Sequence, residues 1–110
     1  MHPETSQITV EGILHALSDP VRVAIFMEIA NSGCTQICST FANVGERSIP
    51  KSTLSQHFKA LREAGLIKSE RRGVEMHNSS RCEEIDKRFP GLLTSIVDAY
   101  KKQMKARARR

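Results

Sequence analysis

The chain lacks any long hydrophobic run: stretches of apolar residues such as Val23 to Met27 are only a few residues long, far below the roughly 18 that span a bilayer. No membrane-crossing segment is expected. The opening MHPETSQITVEG has no basic region followed by an apolar one, so no secretory leader is read there and cytoplasmic residence is the expectation. Cysteine is scarce. Cys34, Cys38 and Cys82 are an odd number, which without an export signal argues for thiols rather than a disulfide framework. Also missing are G-x-x-x-x-G-K, G-x-G-x-x-G, H-E-x-x-H and a paired C-x-x-C, so an enzyme would have no phosphate loop, metal triad or activated nucleophile. Neither catalysis nor a cofactor is expected.

What is present is positive charge. The 110 residues, one domain by length, carry 17 Lys and Arg against 12 Asp and Glu, a net charge of +5. A surplus of that sign attracts polyanions, and double-stranded nucleic acid is the first partner to consider.

From Ile8 onward, Val10, Ile13, Leu14 and Leu17 are spaced as a first helix that ends at SDP. Asp19 before Pro20 predicts the start of a second, because the carboxylate accepts from free amides and the proline costs no hydrogen bond at the first helical position. That helix runs through VRVAIFMEIA to about Asn31, and Gly33 stops it. Thr35 can cap a short third helix over QICSTFA, with Ile37, Cys38 and Phe41 pointing one way; the loop NVGERSI follows. A fourth helix begins near Pro50 and ends at Gly65, where glycine can take the left-handed conformation. LIKSERRGVEMHNS reads as two short strands, Leu66 to Glu70 and Val74 to Asn78, around a tight turn at Gly73. After the polar stretch SRCEEIDKRF, Pro90 and Gly91 reset the chain. A last helix then carries Leu92, Leu93, Ile96, Val97, Tyr100 and Met104, and its tail is KKQMKARARR. The expected organisation is a flexible segment 1–7, one body 8–105 and a basic tail 106–110.

In KSTLSQHFKALREAGLI, Lys51 to Ile67, an apolar stripe of Leu54, Phe58 and Leu61 backs a face of Ser52, Gln56 and Lys59, with Thr53 and Ser55 at its borders. A helix entering the major groove needs short side chains for close approach, donors and acceptors for base edges, and few carboxylates to repel phosphate. Gln56 is the expected base reader, since its amide can bond two positions on adenine. Lys51, Lys59 and Arg62 suit phosphates. An ordinary amphipathic helix with a solvated face is the alternative. His57, at the stripe's edge, is open between packing and a DNA contact. Arg71 and Arg72 at the hairpin tip either meet phosphates and the minor groove or keep an edge strand soluble. The six basic residues of the last ten either add affinity for DNA or form a solubilising end.

Helices, a recognition-like helix and a hairpin in that order describe a mainly α winged helix-turn-helix with a small β-hairpin. ALSDPVRVAIFMEI, PKSTLSQHFKALREAGLI and the RRG of the hairpin resemble the ArsR/SmtB family of bacterial winged-helix repressors, over roughly Leu14 to Asn78. The resemblance implies a homodimeric transcription factor whose DNA binding is weakened by effector binding or cysteine chemistry. It places Ser52, Thr53, Ser55, Gln56 and His57 on the recognition helix and the dimer contact on the first and last helices. Ile8, Ile13, Leu92, Ile96, Tyr100 and Met104 are the residues expected there, because in an isolated winged domain they would form an exposed apolar patch; packing inside one monomer is the alternative. A two-fold dimer predicts an operator that is an imperfect inverted repeat. ANVGERSIP is longer than the usual three or four residues before a recognition helix, which leaves the angle between the flanking helices open.

Cys34 and Cys38 are four apart at the start of the expected third helix, which can put both sulfurs on one face, and a helix N-terminus lowers thiol pKa. A thiol- or metal-responsive sensor is therefore the rival within the class. Metal-sensing members of the family carry C-x-C beside acidic residues, whereas the C-x-x-x-C here puts Cys38 on the core face. A structural Cys38 with a bystander Cys34 and no metal site is the expectation. Nothing in the spacing of His2, His15, His77 and Cys82 requires a site. Outside the class, the rival is a winged domain used only for protein contacts.

Overall fold

The computed structural model describes residues 2–32, 36–37, 43–44 and 47–108. Helix α1, Val10–Ala16, follows a 3-10 turn over Thr5–Gln7, and the Thr9 hydroxyl caps it by accepting the Gly12 amide at 3.1 Å, one of the donors a helix start leaves unsatisfied. Helix α2, Pro20–Ser32, starts as the sequence predicts: Asp19 Oδ1 accepts the amides of Val21 and Arg22 at 2.8 and 3.1 Å. Strands β1, Gln36–Ile37, β2, Asn43–Val44, and β3, Arg47–Ser48, precede helix α3, Lys51–Glu63. The hairpin of β4, Ile67–Arg72, and β5, Glu75–Ser80, leads into α4, Cys82–Arg88, and α5, Leu92–Ala108.

Gln36 and Ile37 pair antiparallel with Asn78 and His77 on the open edge of β5, giving a sheet in the order β1-β5-β4. The helix expected over QICSTFA therefore does not begin at its first two residues, whose backbone groups serve a strand edge instead. Residues 38–42 lie outside those described.

Helix α3 ends as its glycine predicts. Gly65 sits at φ +82°, its amide donates to the Arg62 carbonyl at 3.0 Å, and the Leu66 amide reaches back to the Leu61 carbonyl at 3.0 Å, the double closure of a Schellman motif. This sharp stop sends the chain directly into β4. At the far end of the hairpin Gly73, at φ +65°, is followed by Val74 with no positive φ, the pattern of a two-residue type II′ turn.

The core joins α1, α2, α3, the hairpin root, α4 and α5 through Ile13, Phe26, Phe58, Leu61, Ile67, Ile85 and Leu93. Ile8 and Ile13, expected in an exposed dimer patch, are buried within this core at 2% and 0% exposure. Helical rotation explains the difference on α1. Ile13 and Ala16 turn inward, while Val10 and Leu14 stay exposed. Ile8 packs on the bare backbone of Gly65, where a Cβ would come within 2.5 Å of the Ile8 Cγ1.

The start of the chain is strapped across the hairpin root. His2 Nε2 accepts the Ser69 amide at 2.9 Å, and the Pro3 carbonyl accepts from Arg81 Nη1 at 2.8 Å. Arg81, buried, also donates through Nε to Glu84 at 2.6 Å, so a desolvated charge has a partner. That hydrogen bond from Arg81 outweighs the opposing effect of burial and holds the Glu84 carboxyl below its ordinary range. Among the described residues no helix is long and apolar enough to cross a membrane.

Candidate nucleic-acid interface

Helix α3 divides cleanly. Leu54, His57, Phe58 and Leu61 are buried, while Lys51, Ser52, Thr53, Ser55, Gln56 and Lys59 are exposed. The apolar members space at i, i+4 and i+7, which fixes one side of the helix against the core and leaves the residues between them to solvent. No acidic residue occupies the first turn, where the amides of Lys51, Ser52 and Thr53 have no helical acceptor, the N-cap Pro50 has no amide to offer, and the dipole end is positive. A polar, cationic, anion-favouring end projects from the body.

The other predicted cations divide into two groups. Arg71 and Arg72 are exposed at the end of β4, and Arg72 lies 3.5 Å from Glu70 in an ion pair open to solvent on both sides, which holds it weakly. Lys59 and Glu63 are similarly paired at 3.9 Å on the surface of α3. Arg62, by contrast, is half-buried and donates to Ser69 Oγ at 3.2 Å, and Ser69 in turn donates to Asn78 Oδ1 at 2.6 Å. It ties α3 to the hairpin root.

His57, left open between packing and DNA, is turned inward at 8% exposure, and its Nδ1 accepts from Arg22 Nε at 3.4 Å. A count extended to i+3 along the stripe would have put it there. Val74, expected to open the second strand, instead stands in the two-residue turn, 95% exposed at the hairpin tip, because Arg72 pairs with Glu75.

Away from this face, α5 keeps Leu93 buried, holds Leu92, Ile96 and Tyr100 half-buried and exposes Met104. Between α5 and the corner joining α1 to α2 lies an open, mainly apolar groove of about 710 Å³. Cys34 and Cys38 lie outside the described residues, and Cys82 is a half-buried free thiol at the start of α4. Among the described residues no group of three His, Cys, Asp or Glu could hold a metal ion.

A family model described as a helix-turn-helix domain matches residues 17–70, which includes α2 and α3. The chain is 38% identical over 85 residues to an uncharacterized HTH-type transcriptional regulator, YceK, of Bacillus subtilis, covering 76% of this chain and 82% of that protein. It is also 38% identical over 64 residues to the HTH-type transcriptional repressor SmtB of Mycobacterium tuberculosis, covering 58% of this chain and 44% of that one. Its fold is similar to that of an ArsR-like transcriptional regulator from Rhodococcus, with a TM-score of 0.59 at 23% identity over 90% of this chain and 89% of the other. With a helix-turn-helix body, a glycine-stopped α3 and a two-stranded wing already in place, these likenesses make the chain a member of the ArsR/SmtB family of winged helix-turn-helix transcriptional regulators.

Proposed function

We propose that the chain is a sequence-specific repressor that acts as a homodimer on an inverted-repeat operator in duplex DNA, in the cytoplasm. The observation that carries this reading is the exposed face of α3, where Ser52, Ser55 and Gln56 stand clear of the core with no carboxylate in the first turn. In this reading Gln56 bonds a base edge, Ser52, Thr53 and Ser55 line the approach, and Lys51 and Lys59 meet phosphates. Arg71 and Arg72 bring the wing to the backbone or minor groove, and the exposed Val74 offers an apolar contact there. Arg62 and His57 act from behind α3.

The homodimer is supported by the exposed apolar residues Leu14 on α1 and Met104 on α5 and by the apolar groove that α5 forms with the α1–α2 corner and the start of α2. Leu92, Ile96 and Tyr100 are half-buried in the monomer and would complete their burial in the same contact. A two-fold pair presents two recognition helices to one side of the duplex. Selection of bound sequences from random duplex DNA should return an imperfect inverted repeat with half-site centres about one or two turns of about 10 bp apart. Recovery of no preferred sequence, or of a preferred site without two-fold symmetry, would contradict the proposal.

A further inference from the structure

The inward stripe of α3 has one polar member. His57 lies three residues after Leu54 and four before Leu61, and it is buried with them. Its Nδ1 accepts a hydrogen bond from Arg22 Nε at 3.4 Å. A guanidinium has only donors, so Nδ1 is the acceptor in this bond. Arg22 is itself fixed at two further points. Its Nη1 donates to the Ala16 carbonyl at 3.3 Å, at the end of α1, and its amide donates to Asp19 Oδ1 at 3.1 Å. The bridge therefore runs from the α1–α2 corner to the middle of α3.

Apolar packing is non-directional. Leu54, Phe58 and Leu61 set how deep α3 lies and which side it buries, and Arg62, bonded to Ser69, ties its last turn to the hairpin root; at the middle of the helix the bond from Arg22 to His57 adds a restraint on roll. A hydrogen bond is directional, and this one acts at the residue adjoining Gln56. The amide of a glutamine stands well outside the roughly 2.3 Å radius of the helix Cα cylinder, so a roll of about 10° displaces it by roughly 1 Å. A bidentate bond to a base edge does not survive such a shift.

We propose that Arg22 and His57 are positioning residues for base reading: the bond between them fixes the roll of α3 and with it the register of Gln56 and Ser52 against the bases. This rests on the reading of α3 as the DNA-contacting helix.

The test compares the affinities of the full chain for its selected operator and for random duplex, in the wild type and in Gln56→Ala, Arg22→Gln, His57→Leu, His57→Gln and the paired Arg22→Gln/His57→Leu variant. Arg22→Gln and His57→Leu should each weaken operator binding about tenfold and random-duplex binding less than about twofold. The pair should lose no more than the worse single variant, because both remove one bond. His57→Gln, which keeps a neutral acceptor, should recover most of the loss. Equal losses on both DNAs, or additive losses in the pair, would overturn the proposal. A nitrogen NMR spectrum of the unmodified protein gives an independent reading even if a variant unfolds: a neutral His57 protonated on Nε2 agrees, and one protonated on Nδ1 rules the bond out. If Gln56→Ala loses equally on both DNAs, the assignment of α3 as base reader fails. If Gln56→Ala is selective while His57→Leu binds operator like the wild type, the positioning role alone fails.

Discussion

A methyl group at residue 65 has no room. The backbone there is at φ +82°, and a Cβ would come within 2.5 Å of Ile8 Cγ1, so Gly65→Ala combines left-handed strain with a clash against a buried side chain. It should destabilise the fold by about 2–3 kcal/mol in urea unfolding; a loss below about 0.5 kcal/mol would mean that Ile8 moves aside freely. Two carboxylates set the acid limit of stability. At Asp19 burial opposes ionisation, but the amide hydrogen bonds of Arg22 and Val21 outweigh it and hold the carboxyl below its ordinary range; the hydrogen bond from Arg81 does the same for Glu84. A carboxylate lowered in the folded state contributes stability above its unfolded pKa and loses it as pH falls through the folded one. The contribution of these carboxylates should therefore hold at pH 5–7 and decline below about pH 4, while His2, whose pKa burial lowers and whose Nε2 accepts the Ser69 amide, withdraws a separate contribution as pH falls below its ordinary 6.5. Asp19→Asn, which keeps a capping oxygen, should flatten part of that decline, and an unchanged profile would remove Asp19 from the account. At this scale the sequence was legible where a residue had one job. Gly65, Asp19 and Pro20 announced theirs, whereas His57 and Arg22 act through each other across 35 positions, and no local pattern shows that.

The elements were legible from apolar periodicity or from start and stop signals, α2 through Asp19 and Pro20 rather than through a stripe. Helices α1, α2, α3 and α5 and the hairpin stood out, with strand ends displaced by one or two residues, within the normal spread of boundary assignment. Helix α4 did not. Cys82–Arg88 has Ile85 as its single buried residue, so no repeat marks it, and it forms because Arg81, Glu84 and Ile85 find partners in the folded chain. The helix expected over QICSTFA failed at Gln36 and Ile37 because a strand edge competed for their backbone, a long-range fact. The wing makes the prediction for this scale. Among the described residues Arg72 is held by a solvent-open pair with Glu70, which leaves it able to meet a phosphate. Arg72→Ala should weaken operator and random DNA alike and flatten the salt dependence by about one unit. An unchanged slope would leave the wing outside the interface.

For the whole molecule, the apolar surface left on α1 sits elsewhere than the sequence stripe implied, while on α5 Met104 stays exposed, as that stripe implied. Ile8 and Ile13 are buried within the core, and Leu14 at 53% exposure and Met104 at 39% face solvent. Leu14→Glu therefore tests assembly without touching the core. It should give monomers by sedimentation at micromolar concentration while retaining the helical signal, and it should lose most operator affinity, since one half-site supplies only part of the binding energy. A stable dimer in this variant would place the interface elsewhere. The measurement that bears most directly on the central claim, that α3 reads base sequence through Gln56, is a paired titration of the selected operator and a random duplex with wild-type and Gln56→Ala protein at fixed salt. The predicted result is a loss of about 1–3 kcal/mol on the operator and much less on random DNA. An equal loss on both would contradict it.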